Sequence, residues 1–201
     1  TGDIPFRKAE FQITCSVPNH TMQYLLALYS IKRKAAIFIF ILLITLHYVH
    51  TAYAKDIESE NSRVIEHIKE LIKKRPLNAD LYFNLGNAYD VSERYLEAVD
   101  AYKAALKINP KDTFVYYNLG ISYNRLGLYN ESIEAYKKLL TIEPDEADAH
   151  YNLGISYGKA GMHKEAVEAY KKKLLFHPKD LDANLNLGIS YGELGQHNEA
   201  I

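Results

Sequence analysis

The sequence predicts an all-α protein, a right-handed superhelical solenoid of helix-turn-helix hairpins. Three observations carry this. Asn84-Leu85-Gly86 recurs as Asn118-Leu119-Gly120, Asn152-Leu153-Gly154 and Asn186-Leu187-Gly188, each 34 residues on and without insertion. Tyrosines keep the same phase, at Tyr89, Tyr123, Tyr157 and Tyr191 and again at Tyr102, Tyr136 and Tyr170. Prolines punctuate the chain at Pro76, Pro110, Pro144 and Pro178, also 34 apart. A fixed period of this length marks stacked supersecondary units.

Inside one unit the apolar residues recur at helical spacing. Tyr82, Leu85 and Tyr89 give a helix A near 79–92; Tyr95, Ala98, Val99, Tyr102 and Ala105 give a helix B near 95–108. The recurrent glycine then sits in the middle of helix A, where it costs about 1 kcal/mol relative to Ala. Close approach of the two helices compensates that cost. The expected partner is the small residue twelve positions on: Ala98, Ser132, Ala166 and Ala200. Gly127, Gly161 and Gly195 make the turn from A to B, and the first unit has Glu93 there, so that turn is expected to be strained or differently shaped. Each proline ends a helix B, and Asn78, Asp112 and Asp180 are placed to cap the next helix A.

This period, with these residues in phase, resembles the tetratricopeptide repeat. The resemblance covers residues 79–201, divided as 79–112, 113–146, 147–180 and a truncated 181–201. Residues 55–78 precede the first unit. Their segment 57–75, with Ile65, Ile68, Leu71 and Ile72 on one stripe, matches a helix B in phase and reads as an N-terminal cap. One hairpin cannot bury both its faces, so the units must stack.

The resemblance implies a concave groove lined by helices A that holds a peptide or a helix. Read in phase, its columns are Phe83, Tyr117, Tyr151, Leu185; then Asn84, Asn118, Asn152, Asn186; then Asn87, Ile121, Ile155, Ile189; and last Val91, Arg125, Lys159, Glu193. Asn124 joins Arg125 as a further groove candidate. An amide offers both a donor and an acceptor, so four in a row can grip successive backbone amides of an extended chain. The groove is similar in this to the asparagine ladder of O-GlcNAc-transferase-like arrays. The alternative is that the asparagines bond to neighbouring repeats and keep the stack in register. The mixed last column argues against a carboxylate clamp of the chaperone type. The run Lys171-Lys172-Lys173 reads as a solvated face of helix B, with Lys173 at a position where a small residue is usual, loosening the packing to the next unit.

The N-terminal part has a different character. Lys32-Arg33-Lys34 precedes the apolar run 35–46, and Ala52-Tyr53-Ala54 follows. A basic cluster, a short apolar stretch and small residues at Ala52 and Ala54 make an export signal cleaved after Ala54. Retention of residues 35–54 as a membrane anchor is the competing reading, although a span needs about 20 apolar residues and this one includes His47 and His50. Both readings place the repeats outside the cytoplasm. No cysteine follows the run, so a lipid attachment site is missing. Cleavage would leave 19 Lys and Arg against 23 Asp and Glu. The chain starts at Thr1, with its first methionine at Met22, and stops at Ile201 within a helix B. Residues 1–21 therefore read as an upstream segment or a tail, and further chain is expected after Ile201.

Composition narrows the function. The net charge of −1 argues against a nucleic-acid binder driven by phosphate contacts. Cys15 is the sole cysteine, so neither an internal disulfide nor a CxxC site can form. The eight histidines hold no HExxH pair; His163 and His197 occupy the slot of Tyr95 and Tyr129 and read as packing residues. No cofactor is expected. The function expected is a non-catalytic scaffold whose partner is a protein or peptide. The alternative is the substrate-recruiting arm of a larger enzyme, such as a glycosyltransferase, with its catalytic domain beyond residue 201.

Overall fold

A computed structural model describes residues 43–49 and 57–195. The chain divides into two compact units, Thr1–Lys55 and Asp56–Ile201. In the first, residues 43–49 are helical. The remainder of the apolar run, together with Ala52 and Ala54, lies outside the described residues. Among the described residues no helix is long and apolar enough to cross a membrane.

The second unit is a series of antiparallel helices. Helix α1 spans 57–74. It is followed by α2 (Ala79–Val91), α3 (Tyr95–Ile108), α4 (Thr113–Arg125), α5 (Tyr129–Ile142), α6 (Ala147–Lys159), α7 (His163–Phe176) and α8 (Leu181–Glu193). The hairpins are α2–α3, α4–α5 and α6–α7; α8 is helix A of the fourth. Each helix A starts on a side-chain cap that accepts a backbone amide proton. Asn78 accepts from Leu81 N, Asp112 from Val115 N and Asp180 from Ala183 N, and Glu146 does the same for Asp148 N.

Each helix A closes on a residue in the left-handed region. Gly127, Gly161 and Gly195 have φ of 73°, 75° and 72°, and Glu93 takes φ 57°. The turn in the first hairpin is thus strained but not differently shaped. The amide of Arg94 donates to Tyr89 O at 2.9 Å and that of Glu93 to Asp90 O at 2.9 Å. Leu128 and Met162 repeat the first of these bonds on Tyr123 and Tyr157. This is the Schellman closure, which needs a positive φ and so favours glycine.

The core is built of small residues and tyrosines. Ala98, Val99, Tyr102, Ala105, Val115 and Leu119 are buried with Ile65 of α1, against which Ile68 and Ile72 also pack. A second cluster holds Ile133, Tyr136, Leu139, Ala149, Leu153 and Ala169. Helix α1 thus packs on the first hairpin through Ile65, Ile68 and Ile72.

The mid-helix glycine makes room for something larger than expected. A β-carbon at Gly120 would lie 2.6 Å from the ring of Tyr136, and one at Gly154 2.6 Å from that of Tyr170; at Gly86 it would overlap Tyr102. The ring sixteen residues on, not the small residue twelve on, demands the glycine. Ser132 still approaches as a small residue should, its hydroxyl donating to Gly120 O at 2.8 Å.

In the lysine run Lys171 and Lys172 are exposed as expected, and Lys173 is not. Lys171 Nζ stands 5.7 Å from the ring centroid of Tyr191 in the next unit, as Lys103 and Lys137 do at 5.6 and 5.9 Å over Tyr123 and Tyr157. Lys173 is only 5% exposed. Its ammonium lies 2.6 Å from Asp148 Oδ1 and 3.4 Å from Asp180 Oδ2. Far from loosening the stack, it fastens α6 to the cap of α8. Burial works against its charge and the two carboxylates more than reverse this, so its pKa is raised.

Candidate peptide-binding groove

The columns of helix A can be followed from α2 to α8. Phe83, Tyr117 and Tyr151 are half-buried, each packed on the buried ring of its own helix B. The centroid distances are 6.0 Å to Tyr102, 6.0 Å to Tyr136 and 5.9 Å to Tyr170. Leu185, the fourth member, is exposed. Aromatic pairs at this spacing are favourable beyond their buried area. Burial raises the Tyr117 phenol pKa, with the Asp148 carboxylate adding to it. Burial raises that of Tyr151 likewise.

The asparagine column is only partly free. Asn152 Nδ2 donates to the Tyr117 hydroxyl at 2.9 Å, and Asn186 Nδ2 to the Tyr151 hydroxyl at 3.0 Å. Each bond joins one repeat to the preceding one. Asn118 stands opposite Phe83 in this pattern, and phenylalanine has no hydroxyl to accept. Asn84 is exposed. The amides of Asn152 and Asn186 keep their oxygen and a second proton for other partners.

Three further candidates fall in different surroundings. Asn87 Oδ1 lies 2.7 Å from the Tyr102 hydroxyl, whose one proton it shares with Asp90. Asn124 Nδ2 donates to Ser156 Oγ at 2.9 Å. Both are half-buried and engaged within the array. Arg125 is exposed at the end of α4. The half-buried His163 sits at the start of α7; His197 lies outside the described residues. Among the described residues no group of three or more His, Cys, Asp or Glu is arranged to hold a metal ion.

A buried polar seam escaped the sequence reading. Asp90 accepts from the Tyr102 hydroxyl at 2.8 Å and from Ser122 Oγ at 2.8 and 2.9 Å. Ser156 and Ser132 continue it, their hydroxyl oxygens 2.9 Å apart. Its sequence signal is a serine column in phase, Ser122, Ser156 and Ser190, buried on helix A. The seam changes along the array. Where Tyr102 finds Asn87 and Asp90, the equivalent positions for Tyr136 are Ile121 and Asn124. The Tyr136 hydroxyl and Asn124 Oδ1 are both buried without a hydrogen-bond partner.

Between the second and third hairpins lies a cleft of about 260 Å³. Leu139, Tyr117 and Phe114 form its apolar lining, and Thr113, Glu143, Glu146 and Asp148 its polar lining. Phe114 is 75% exposed. Thr113 donates its hydroxyl proton to Glu143 Oε1 at 2.9 Å. Aromatic rings and carboxylates thus stand side by side in this cleft.

Comparison with known proteins agrees with the architecture. A tetratricopeptide-repeat model matches residues 79–112 and 147–180, a second such model matches 101–134, and a TPR-repeat model matches 122–161. No curated protein matches the sequence. The crystal structure of MamA is similar at 27% identity and TM-score 0.66, covering 68% of this chain and 80% of that one. MamA from Desulfovibrio magneticus RS-1 is similar at 20% identity and TM-score 0.66, covering 70% and 79%. YrrB, described as a TPR protein with an unusual peptide-binding site, is similar at 22% identity and TM-score 0.65, covering 71% and 74%. With the period, the hairpins and these matches in agreement, the chain belongs to the tetratricopeptide-repeat family.

Proposed function

We propose that the array is a non-catalytic scaffold that holds an extended polypeptide along the face lined by its helices A. The observation that carries this reading is the row of half-buried rings, Phe83, Tyr117 and Tyr151, flanked by the amides Asn84, Asn118, Asn152 and Asn186. Rings supply apolar contact area at low entropic cost, and amides satisfy a bound backbone without selecting its side chains. The peptide-binding description of YrrB supports the same use of this fold.

A random peptide library displayed on phage and panned against the immobilised chain tests this. Enriched peptides should bind the wild-type chain and lose at least tenfold in affinity to Tyr151→Ala. Enriched peptides that bind Tyr151→Ala equally well would move the site off this face, and a library with no enrichment would remove the reading.

In the same proposal, residues 32–54 act as an export signal that carries this scaffold out of the cytoplasm. Mass spectrometry of the N-terminus after cell fractionation checks it. A product beginning at Lys55 in the extracytoplasmic fraction supports cleavage, an intact membrane-bound product supports an anchor, and an intact cytoplasmic product overturns both.

A further inference from the structure

We propose that the cleft between the second and third hairpins is a receptor for a lysine or arginine side chain of the bound polypeptide, so that the scaffold selects basic partners. This rests on the groove reading and names the chemistry that the groove prefers. The argument comes from the repeat itself. One junction further along, the equivalent slot is already filled by the chain's own ammonium. Lys173 threads it, with Nζ between Asp148 at the start of helix A and Asp180 at the cap of the next helix A.

The corresponding floor residue between the second and third hairpins is Leu139, which brings no charge. Glu146 takes the place of Asp180 as the cap, and Glu143 takes that of His177. Asp148 completes the rim and pairs with Lys173, and among the described residues neither Glu143 nor Glu146 forms an ion pair. The walls suit the stem of a long cationic side chain. Phe114 stands largely exposed beside Leu139, so methylenes can lie on apolar surface while the head reaches the carboxylates. An arginine would also stack on a ring. The Glu143 and Glu146 side chains use one oxygen each within the protein, on the Thr113 hydroxyl and the Asp148 amide, and keep the other for a ligand.

Three fluorescein-labelled twelve-residue peptides test the proposal. They share a serine, leucine and glycine frame and carry lysine, norleucine or glutamate at every fourth position. Fluorescence anisotropy with the whole chain should show the lysine peptide binding at least tenfold tighter than the other two, with affinity falling as salt rises. The double variant Glu143→Gln/Glu146→Gln keeps both internal hydrogen bonds, because each amide oxygen still accepts. It should erase most of the preference for lysine and leave the norleucine peptide unaffected. Leu139→Lys, which supplies an internal ammonium as in the third hairpin, should do the same if circular dichroism shows it folded. Equal binding of all three peptides would overturn the preference while leaving the groove intact. A preference that survives the glutamine variant would place it elsewhere. No binding of any of the three peptides would overturn the receptor and count against the groove as well.

Discussion

Gly154 lies under the ring of Tyr170 so closely that a β-carbon on it would come within 2.6 Å of Tyr170 Cε1. The same relation holds for Gly120 and Tyr136. Gly158, one turn further along the same helix, has nothing within 4 Å of that position. Two glycines of one helix thus have opposite reasons to be there.

That contrast predicts opposite signs for the same substitution. Gly154→Ala should destabilise the array by about 1–3 kcal/mol, because overpacking a buried ring exceeds the gain in helix propensity. Gly158→Ala should stabilise it by about 0.5 kcal/mol through propensity alone. Urea unfolding of the two variants measures both, and the same sign for the pair would refute the assignment.

The strained turn of the first hairpin is correctable. Glu93 adopts φ 57° where the later turns use glycine. A left-handed residue with a β-carbon costs about 1–2 kcal/mol, and glycine returns part of that as unfolded-state entropy. Glu93→Gly should therefore raise stability by about 0.5–1 kcal/mol, seen as a higher thermal midpoint.

The asparagine column separates binding from register within one series. Asn118 makes no bond to the preceding repeat, whereas Asn152 donates to Tyr117 at 2.9 Å. Asn118→Ala should leave urea stability within about 0.5 kcal/mol of wild type, because no side-chain hydrogen bond is lost, while weakening peptide binding. Asn152→Ala should cost about 1 kcal/mol by removing a hydrogen bond. Unchanged binding in both variants would leave the column a register device only.

Stability should also carry a signature of Asp180. The Ala183 amide, first, and then the Lys173 ammonium hold its carboxyl below the ordinary value of 3.8. A carboxylate of lowered pKa stabilises the fold above its unfolded pKa, and that contribution is lost as pH falls through its folded pKa. Asp180→Asn keeps a helix cap but removes the charge. Its thermal midpoint should fall below wild type at pH 7, and the gap should close as the pH drops below about 4. A gap independent of pH would show that the charge contributes nothing.

Lys173 shows where legibility in the sequence ends. The repeat period, the two helices per unit and their caps could be read directly, because each is a local rule applied at a fixed spacing. The in-phase columns of helix A were legible for the same reason. The fate of Lys173 was not. A lysine in a basic run on helix B reads as solvated, and only the stacking of α6, α7 and α8 brings Asp148 and Asp180 to its ammonium.

The same holds for the glycine and for the polar seam. Spacing pointed to the small residue twelve on as the neighbour of Gly120, and the direction of the Tyr136 side chain puts its ring there instead. Asp90 meets Ser122 across 32 positions, a pairing that local periodicity does not contain. By itself, then, the sequence determined the unit, its repetition and which faces are apolar. The tertiary structure decided which polar groups are consumed between repeats and which remain for a partner, because that depends on how neighbouring hairpins pack rather than on spacing within one.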